Sequence, residues 1–143
     1  AVDTSGILVI PNDTSKCDEL IKYTDLVLLD IKHINDEEHK KLTGHSNKNI
    51  LAFAEYLSEI NKPMWIRHVV VPGINDKIEY LSGLGKFMKK LKNITALDVL
   101  PYHNMAISKY ENLGIEYQLK NVPPLSKEDA IKARDVILKS YKE

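Results

Sequence analysis

The sequence has a single cysteine, Cys17. One thiol closes no disulfide within the chain and supplies no multi-cysteine metal or cluster site, so a reducing cytoplasm is the simplest expected location. An excess of either charge is missing too: Lys plus Arg and Asp plus Glu each number 20, for a formal net charge of zero. That argues against nucleic-acid and membrane-surface partners, which require a basic footprint to neutralise phosphates. No apolar run approaches the roughly 20 residues needed to cross a bilayer. No basic segment leads into an apolar stretch at the N-terminus, as a signal peptide would. Low-complexity tracts and Gly/Ser linkers are absent, which predicts a single unit over residues 1–143.

What is present is an ordinary globular composition, 43% hydrophobic and 28% charged, in a chain long enough for one domain with a real core. Three short apolar runs read as strands buried on both faces: Leu26 to Lys32, Met64 to Val71 and Ala96 to Leu100, the last two stopped by Pro72-Gly73 and Pro101. Between them the apolar period is helical. Ile50, Phe53, Ala54, Leu57 and Ile60 share one face, with Ser46 and Asn47 as capping candidates. Ile78, Leu81, Leu84, Met88 and Leu91 form a second stripe after Asn75 and Asp76; Cys17, Leu20 and Ile21 form a shorter one, with Cys17 in the core. Asp36 to Leu42 predicts a short helix. The last helix follows Pro123-Pro124, capped by Ser126 with Asp129, with Ile131, Ile137, Leu138 and Tyr141 inward.

Strand and helix in alternation imply βαβ units and a parallel sheet. A closed (β/α)₈ barrel needs about 250 residues, so this chain is expected to supply roughly half of one. Ala1 is not an initiator methionine and Val2-Asp3-Thr4 reads as the end of an element, so the chain is expected to begin inside a larger fold, open at its N-terminal edge.

Ligands of parallel α/β folds bind at the C-terminal ends of the strands. There the sequence places Asp3 and Thr4, then Asp30 and Lys32, Arg67 within its strand, and Tyr102-His103. Each has a structural alternative. Asp3-Thr4-Ser5-Gly6 suits a turn. Asp30 and Lys32 can pair with each other. Arg67 in an apolar strand needs a carboxylate, which either ligand or protein can supply. A lone His103 is more often a hydrogen-bonded structural residue; His33, His39, His45 and His68 read as surface or supporting residues. Together, two acids, two cations and an imidazole on one rim suit a zwitterionic ligand, whose carboxylate Arg or Lys would grip.

At the same residues the sequence resembles the pyruvate formate-lyase activating enzymes of the radical S-adenosylmethionine superfamily. The resemblance runs through Val2-Asp3-Thr4-Ser5-Gly6, Thr24 to Lys32, Met64 to Gly73 and Leu100-Pro101-Tyr102-His103, then Lys109-Tyr110, Leu113-Gly114 and Tyr117. It implies an α/β fold, the C-terminal portion of a partial (β/α)₆ TIM-like barrel with outer helices, holding a 4Fe–4S cluster and S-adenosylmethionine. Reductive cleavage would yield a 5′-deoxyadenosyl radical that takes a hydrogen from a glycine of a glycyl radical enzyme such as pyruvate formate-lyase, with flavodoxin or ferredoxin as electron donor. The resemblance assigns Asp30, Lys32, Arg67 and His103 to S-adenosylmethionine. It assigns Asp3, Thr4, Asp30 and the carbonyl of Leu28 to a monovalent cation.

The family's CxxxCxxC cluster motif and its glycine-rich GGE segment do not occur in the sequence. The polypeptide is therefore expected to be a C-terminal fragment without iron–sulfur ligands, inactive by itself. Two other readings stay open. One is a non-catalytic half-barrel that docks a protein through Tyr102 to Tyr117. The other is an orotidine-phosphate decarboxylase-like barrel using Asp30 and Lys32, although the DxKxxD pattern fails at Asn35 and Asp36 falls one residue late.

Overall fold

The structure, a computed structural model, describes residues 1–7 and 13–143. The strands β1 (Val2–Thr4), β2 (Val27–Asp30), β3 (Met64–Val70) and β4 (Ile94–Pro101) lie side by side in sequence order, every pair parallel. The helices between and after them are α1 (Ser15–Lys22), α2 (Asp36–Thr43), α3 (Lys48–Glu59), α4 (Ile78–Met88), α5 (Ile107–Asn112) and α6 (Lys127–Lys142).

Period-two alternation divides the sheet into two faces. Val27, Leu29, Met64, Ile66 and Val70 are buried in one cluster with Ile21 of α1, Phe53 and Leu57 of α3, Leu84 and Met88 of α4, and Ile137 of α6. The other face carries Leu28, Asp30, Trp65, Arg67 and Val69, all partly exposed or exposed. The expectation of strands buried on both faces is thus corrected. The charges of Asp30 and Arg67 keep that face accessible, because burying them without full pairing is costly.

The helical stripes hold at most of their positions and fail at four. Ile50, Phe53, Ala54, Leu57, Leu81, Leu84, Met88, Leu91 and Ile137 are buried, and Cys17, partly buried, packs on the core. Leu20, Ile60, Ile78 and Ile131 are exposed; Leu20 and Ile131 lie one residue, about 100° of helix rotation, from the buried Ile21 and Ala130. Asn35 caps α2 by accepting from the Glu38 N–H at 3.0 Å, and Gly44 ends that helix in the left-handed conformation. Ser126 caps α6 through the Asp129 N–H at 3.0 Å, as its spacing predicts. Asn47 occupies the N-cap of α3 without capping it, and Lys77 rather than Asn75 or Asp76 precedes α4.

Two glycines are set by close approach. A Cβ on Gly85 would lie 2.3 Å from the Ile137 carbonyl oxygen, so α4 and α6 meet backbone to backbone there. Gly6, at φ +68°, would push a Cβ to 2.7 Å from Phe53 Cδ1, so the turn after β1 lies directly on the core.

The histidines differ in burial. His45 is exposed, but His33, His39 and His68 are buried. Each imidazole is held by a backbone carbonyl: His33 Nε2 by Ile74 at 3.3 Å, His39 Nδ1 by His45 at 2.6 Å, and His68 Nδ1 by Ile31 at 2.6 Å. These contacts put the proton of His68 on Nδ1 and leave its buried Nε2 without a partner. Burial pushes the His68 pKa down to about 4, against the smaller upward pull of the Ile31 carbonyl, and burial likewise lowers that of His33.

A depressed histidine pKa means that the unfolded chain binds the proton first, so its contribution to stability is complete above pH about 6.5 and is lost as pH falls towards 4. For His68 alone the loss amounts to roughly 3 kcal/mol. Urea unfolding between pH 7 and 4.5 is expected to show this decline, and His68→Gln, which removes the titration, is expected to flatten it. Identical slopes in the two proteins would count against the assignment.

Candidate functional site

The face opposite the helices collects the charges that the sequence scatters. Register places Asp3 beside Leu28, and Asp30 beside Arg67, which in turn lies beside Asp98 of β4. Paired residues of parallel strands project to the same side, so Asp3, Asp30, Arg67 and Asp98 share one face. Arg67 bridges strands: Nη1 donates to Asp3 Oδ2, and Nε lies 3.4 Å from Asp30 Oδ1. Lys32 Nζ lies 2.6 Å from Asp30 Oδ2. Burial works against the charge of Arg67, but the hydrogen bond to Asp3 and the fields of Asp30, Asp3 and Asp98 outweigh it and raise its pKa.

Asp30 is the centre of this array and is incompletely satisfied. Its Oδ1 is buried and accepts no hydrogen bond, although Arg67 is within ion-pair range. Three carboxylates face two cations here, which leaves net negative charge and an acceptor for a positively charged ligand or ion. Asp98 was not singled out in the sequence: alternation within Ala96 to Leu100 gives its side of the strand, but only the register with Arg67 sets the face.

Two expected site residues stand apart. Thr4 pairs in register with Leu29 on the core side, and its Oγ1 accepts the Gly6 N–H at 3.0 Å. His103 is exposed and does not line the adjoining cavity. That cavity, of about 730 Å³, opens between Lys32, Val69 and Val71 at the strand ends, the end of α2, and the segment from Tyr110 to Leu119. Buried Tyr102 fixes this segment: its hydroxyl lies 3.2 Å from both the Tyr117 hydroxyl and the Leu119 carbonyl, and its own carbonyl accepts the Leu125 N–H. Burial, with the Tyr102 hydrogen bond, pushes the Tyr117 pKa up to about 12.

Asp36 is engaged away from Asp30 and Lys32, not in a DxKxxD arrangement. One carboxylate oxygen accepts from Ser46 Oγ at 2.6 Å and the Asn47 N–H at 2.9 Å, while the other pairs with Lys40 at 2.9 Å.

A sequence model described as the radical SAM superfamily matches residues 1–82, more than half of the chain. The chain belongs to the radical SAM superfamily. Over 127 residues it is 52% identical to the pyruvate formate-lyase-activating enzyme of Staphylococcus epidermidis, covering 86% of this chain and 50% of that protein. Its identity to the enzyme of the same name from Streptococcus mutans is 54% over 114 residues, covering 80% and 43%. The chain thus spans about half the length of the curated relatives it matches. Among solved structures, a domain of pyruvate-formate lyase-activating enzyme from Bacteroides vulgatus superposes with a TM-score of 0.75 at 22% identity, covering 99% of this chain and 75% of that one. A radical SAM methyltransferase from Sphaerobacter thermophilus gives 0.62 at 16% identity, covering 97% and 37%. These likenesses establish the α/β fold, four parallel strands with helices, as that of a radical SAM partial barrel.

The superfamily implies S-adenosylmethionine and a 4Fe–4S cluster. The charge array fits the first: Arg67 and Lys32 suit a carboxylate, and the unsatisfied Asp30 oxygen suits a cationic group. The residues present do not fit the second. Such clusters are held by several thiolates, whereas Cys17 stands alone. Its Sγ donates to the Thr14 carbonyl at 3.1 Å, and burial, with Asp18 nearby, raises its pKa. Among the described residues no group of three His, Cys, Asp or Glu side chains could hold a metal, and no helix is long and apolar enough to cross a membrane.

The Arg67 bridge ties β1 to β2 and β3. Replacing Arg67 by Met strands Asp30, whose side chain is only 17% exposed, and is expected to cost about 1–3 kcal/mol in urea unfolding. Asp3→Asn is expected to cost much less, because Asp3 is 59% exposed. Equal losses would contradict this ranking.

Proposed function

We propose that the chain is the C-terminal portion of a radical SAM activating enzyme, which generates a glycyl radical on pyruvate formate-lyase or a relative. The observation that carries this reading is the Asp3–Arg67–Asp30–Lys32 array on the open face of the sheet, with its unsatisfied Asp30 oxygen. The names of the relatives, at about half identity, point the same way.

In this reading Lys32 and Arg67 hold the carboxylate of S-adenosylmethionine by charge-assisted hydrogen bonds, and His103 meets the ligand from the loop after β4. Asp30 orients both cations and faces the ligand's positive charge. Asp3, Asp30 and the Leu28 carbonyl surround a monovalent cation, which separates the ligand carboxylate from two acidic side chains, whereas Thr4, on the core side with its hydroxyl on the Gly6 N–H, stays out of that set. Asp3 then exchanges part of its bond to Arg67 for that cation. When bound and reduced, S-adenosylmethionine supplies the hydrogen-abstracting chemistry that oxidises the target glycine. This chain's own work is to bind and orient it. The cluster ligands belong to a segment outside this sequence, electrons come from a flavodoxin or ferredoxin in the cytoplasm, and the 143-residue chain alone turns nothing over.

The full-length protein, reconstituted anaerobically with iron and sulfide, is expected to raise a glycyl radical signal in the electron paramagnetic resonance spectrum of pyruvate formate-lyase when given a reductant and S-adenosylmethionine. The 143-residue chain under the same treatment should yield neither that signal nor 5′-deoxyadenosine. A full-length protein that binds its cluster yet neither cleaves S-adenosylmethionine nor produces the radical would overturn the reading.

A further inference from the structure

Residues 31–35 belong to no helix or strand, yet every carbonyl from Ile31 to Ile34 ends on a buried side-chain donor. His68 Nδ1 holds Ile31 at 2.6 Å and Asn75 Nδ2 holds Lys32 at 2.9 Å. Asn47 Nδ2 holds His33 at 3.1 Å and Ile34 at 2.8 Å. Asn75 reaches furthest. The same Nδ2 also donates to the Val69 carbonyl at 2.8 Å, and Oδ1 accepts the Val71 N–H at 2.7 Å. A side chain 1% exposed therefore joins the backbone of Lys32 to β3 just beyond Arg67.

Lys32 has a long, flexible stem, and its ammonium carries no geometric preference of its own. A preset position has to come from its backbone and from Asp30. The Ile31 N–H bond to the Arg67 carbonyl at 3.0 Å fixes one side of Lys32, and Asn75 fixes the other.

Resting on the S-adenosylmethionine reading of this face, we infer that Asn75 is a positioning residue, which sets Lys32 against Arg67 so that both cations meet one ligand carboxylate. Asn75 touches no ligand itself. Its effect on affinity passes through Lys32, whereas its effect on stability, through Val69 and Val71, does not.

A double-mutant cycle separates the two. In the full-length protein, reconstituted anaerobically, S-adenosylmethionine is titrated by calorimetry into the wild type, Asn75→Ala, Lys32→Met and the double variant. Asn75→Ala is expected to weaken binding about tenfold, the size typical of a partner that orients a contact group. In the Lys32→Met background it should weaken binding no further, while still lowering Tm. If the two losses in affinity add, or if Asn75→Ala binds like the wild type, the positioning role is wrong and the reading of the face stands. A wild type without affinity for S-adenosylmethionine overturns that reading and this inference with it. Should Asn75→Ala fail to fold, Asn75→Asp, which keeps the acceptor for the Val71 N–H and loses both donated bonds, goes through the same cycle and is judged by the same outcomes.

Discussion

When β2 ends at Asp30, its backbone must leave the sheet without leaving the protein interior. A buried carbonyl without a donor costs roughly 1–3 kcal/mol, and four of them follow in succession from Ile31 to Ile34. His68, Asn75 and Asn47, from three later parts of the chain, supply the donors. The path of the chain after β2 therefore depends on these three side chains. They allow a non-repetitive segment to be as well determined as a strand, and they deliver Lys32 to the same side as Arg67. Helix propensity and apolar burial build the scaffold, but the aim of the rim is set by amide and imidazole groups inside it.

The sheet keeps two kinds of chemistry apart. On the helix side, aliphatic and aromatic residues form one continuous core, with His68 admitted because its proton is used on the Ile31 carbonyl. On the other side, Asp3, Asp30 and Asp98 face Arg67 and Lys32. A guanidinium between several carboxylates stays charged, and the acids around it are not all neutralised by it. Such a surface has free energy to gain from a ligand carrying both a carboxylate and positive charge, which is the character of S-adenosylmethionine.

Much of this was legible in the sequence. The apolar runs ended by Pro72-Gly73 and Pro101 mark strands because few other structures accommodate that pattern, and Ser126 with Asp129 fixes the start of α6. Asp30, Lys32 and Arg67 stand out because charge at the end of an apolar run needs a reason. Residues whose role depends on contacts far along the chain were less visible. His33, His39 and His68 read only as surface or supporting residues, and Asn75 only as a residue before a helical stripe, because their carbonyl partners lie elsewhere in the sequence or in loops without periodicity. Asp98 joined the array only once its strand was aligned with Arg67. The exposed Ile78 and Ile131 show the limit of periodicity: it groups apolar residues, but not every one of them is covered, and the buried face of α6 runs through Ala130, Ala133 and Ile137 instead.

Membership of the radical SAM superfamily gives this face its chemical context, and we propose the charge array as the place of the superfamily's ligand. The most direct test is a crystal structure of the full-length protein grown anaerobically with S-adenosylmethionine. The account predicts the ligand carboxylate within hydrogen-bonding reach of both Arg67 and Lys32, and Asp30 Oδ1 engaged by the ligand or by a cation. A ligand bound elsewhere, with the Asp3–Arg67–Asp30 bridge unchanged and Asp30 Oδ1 still unsatisfied, would contradict it.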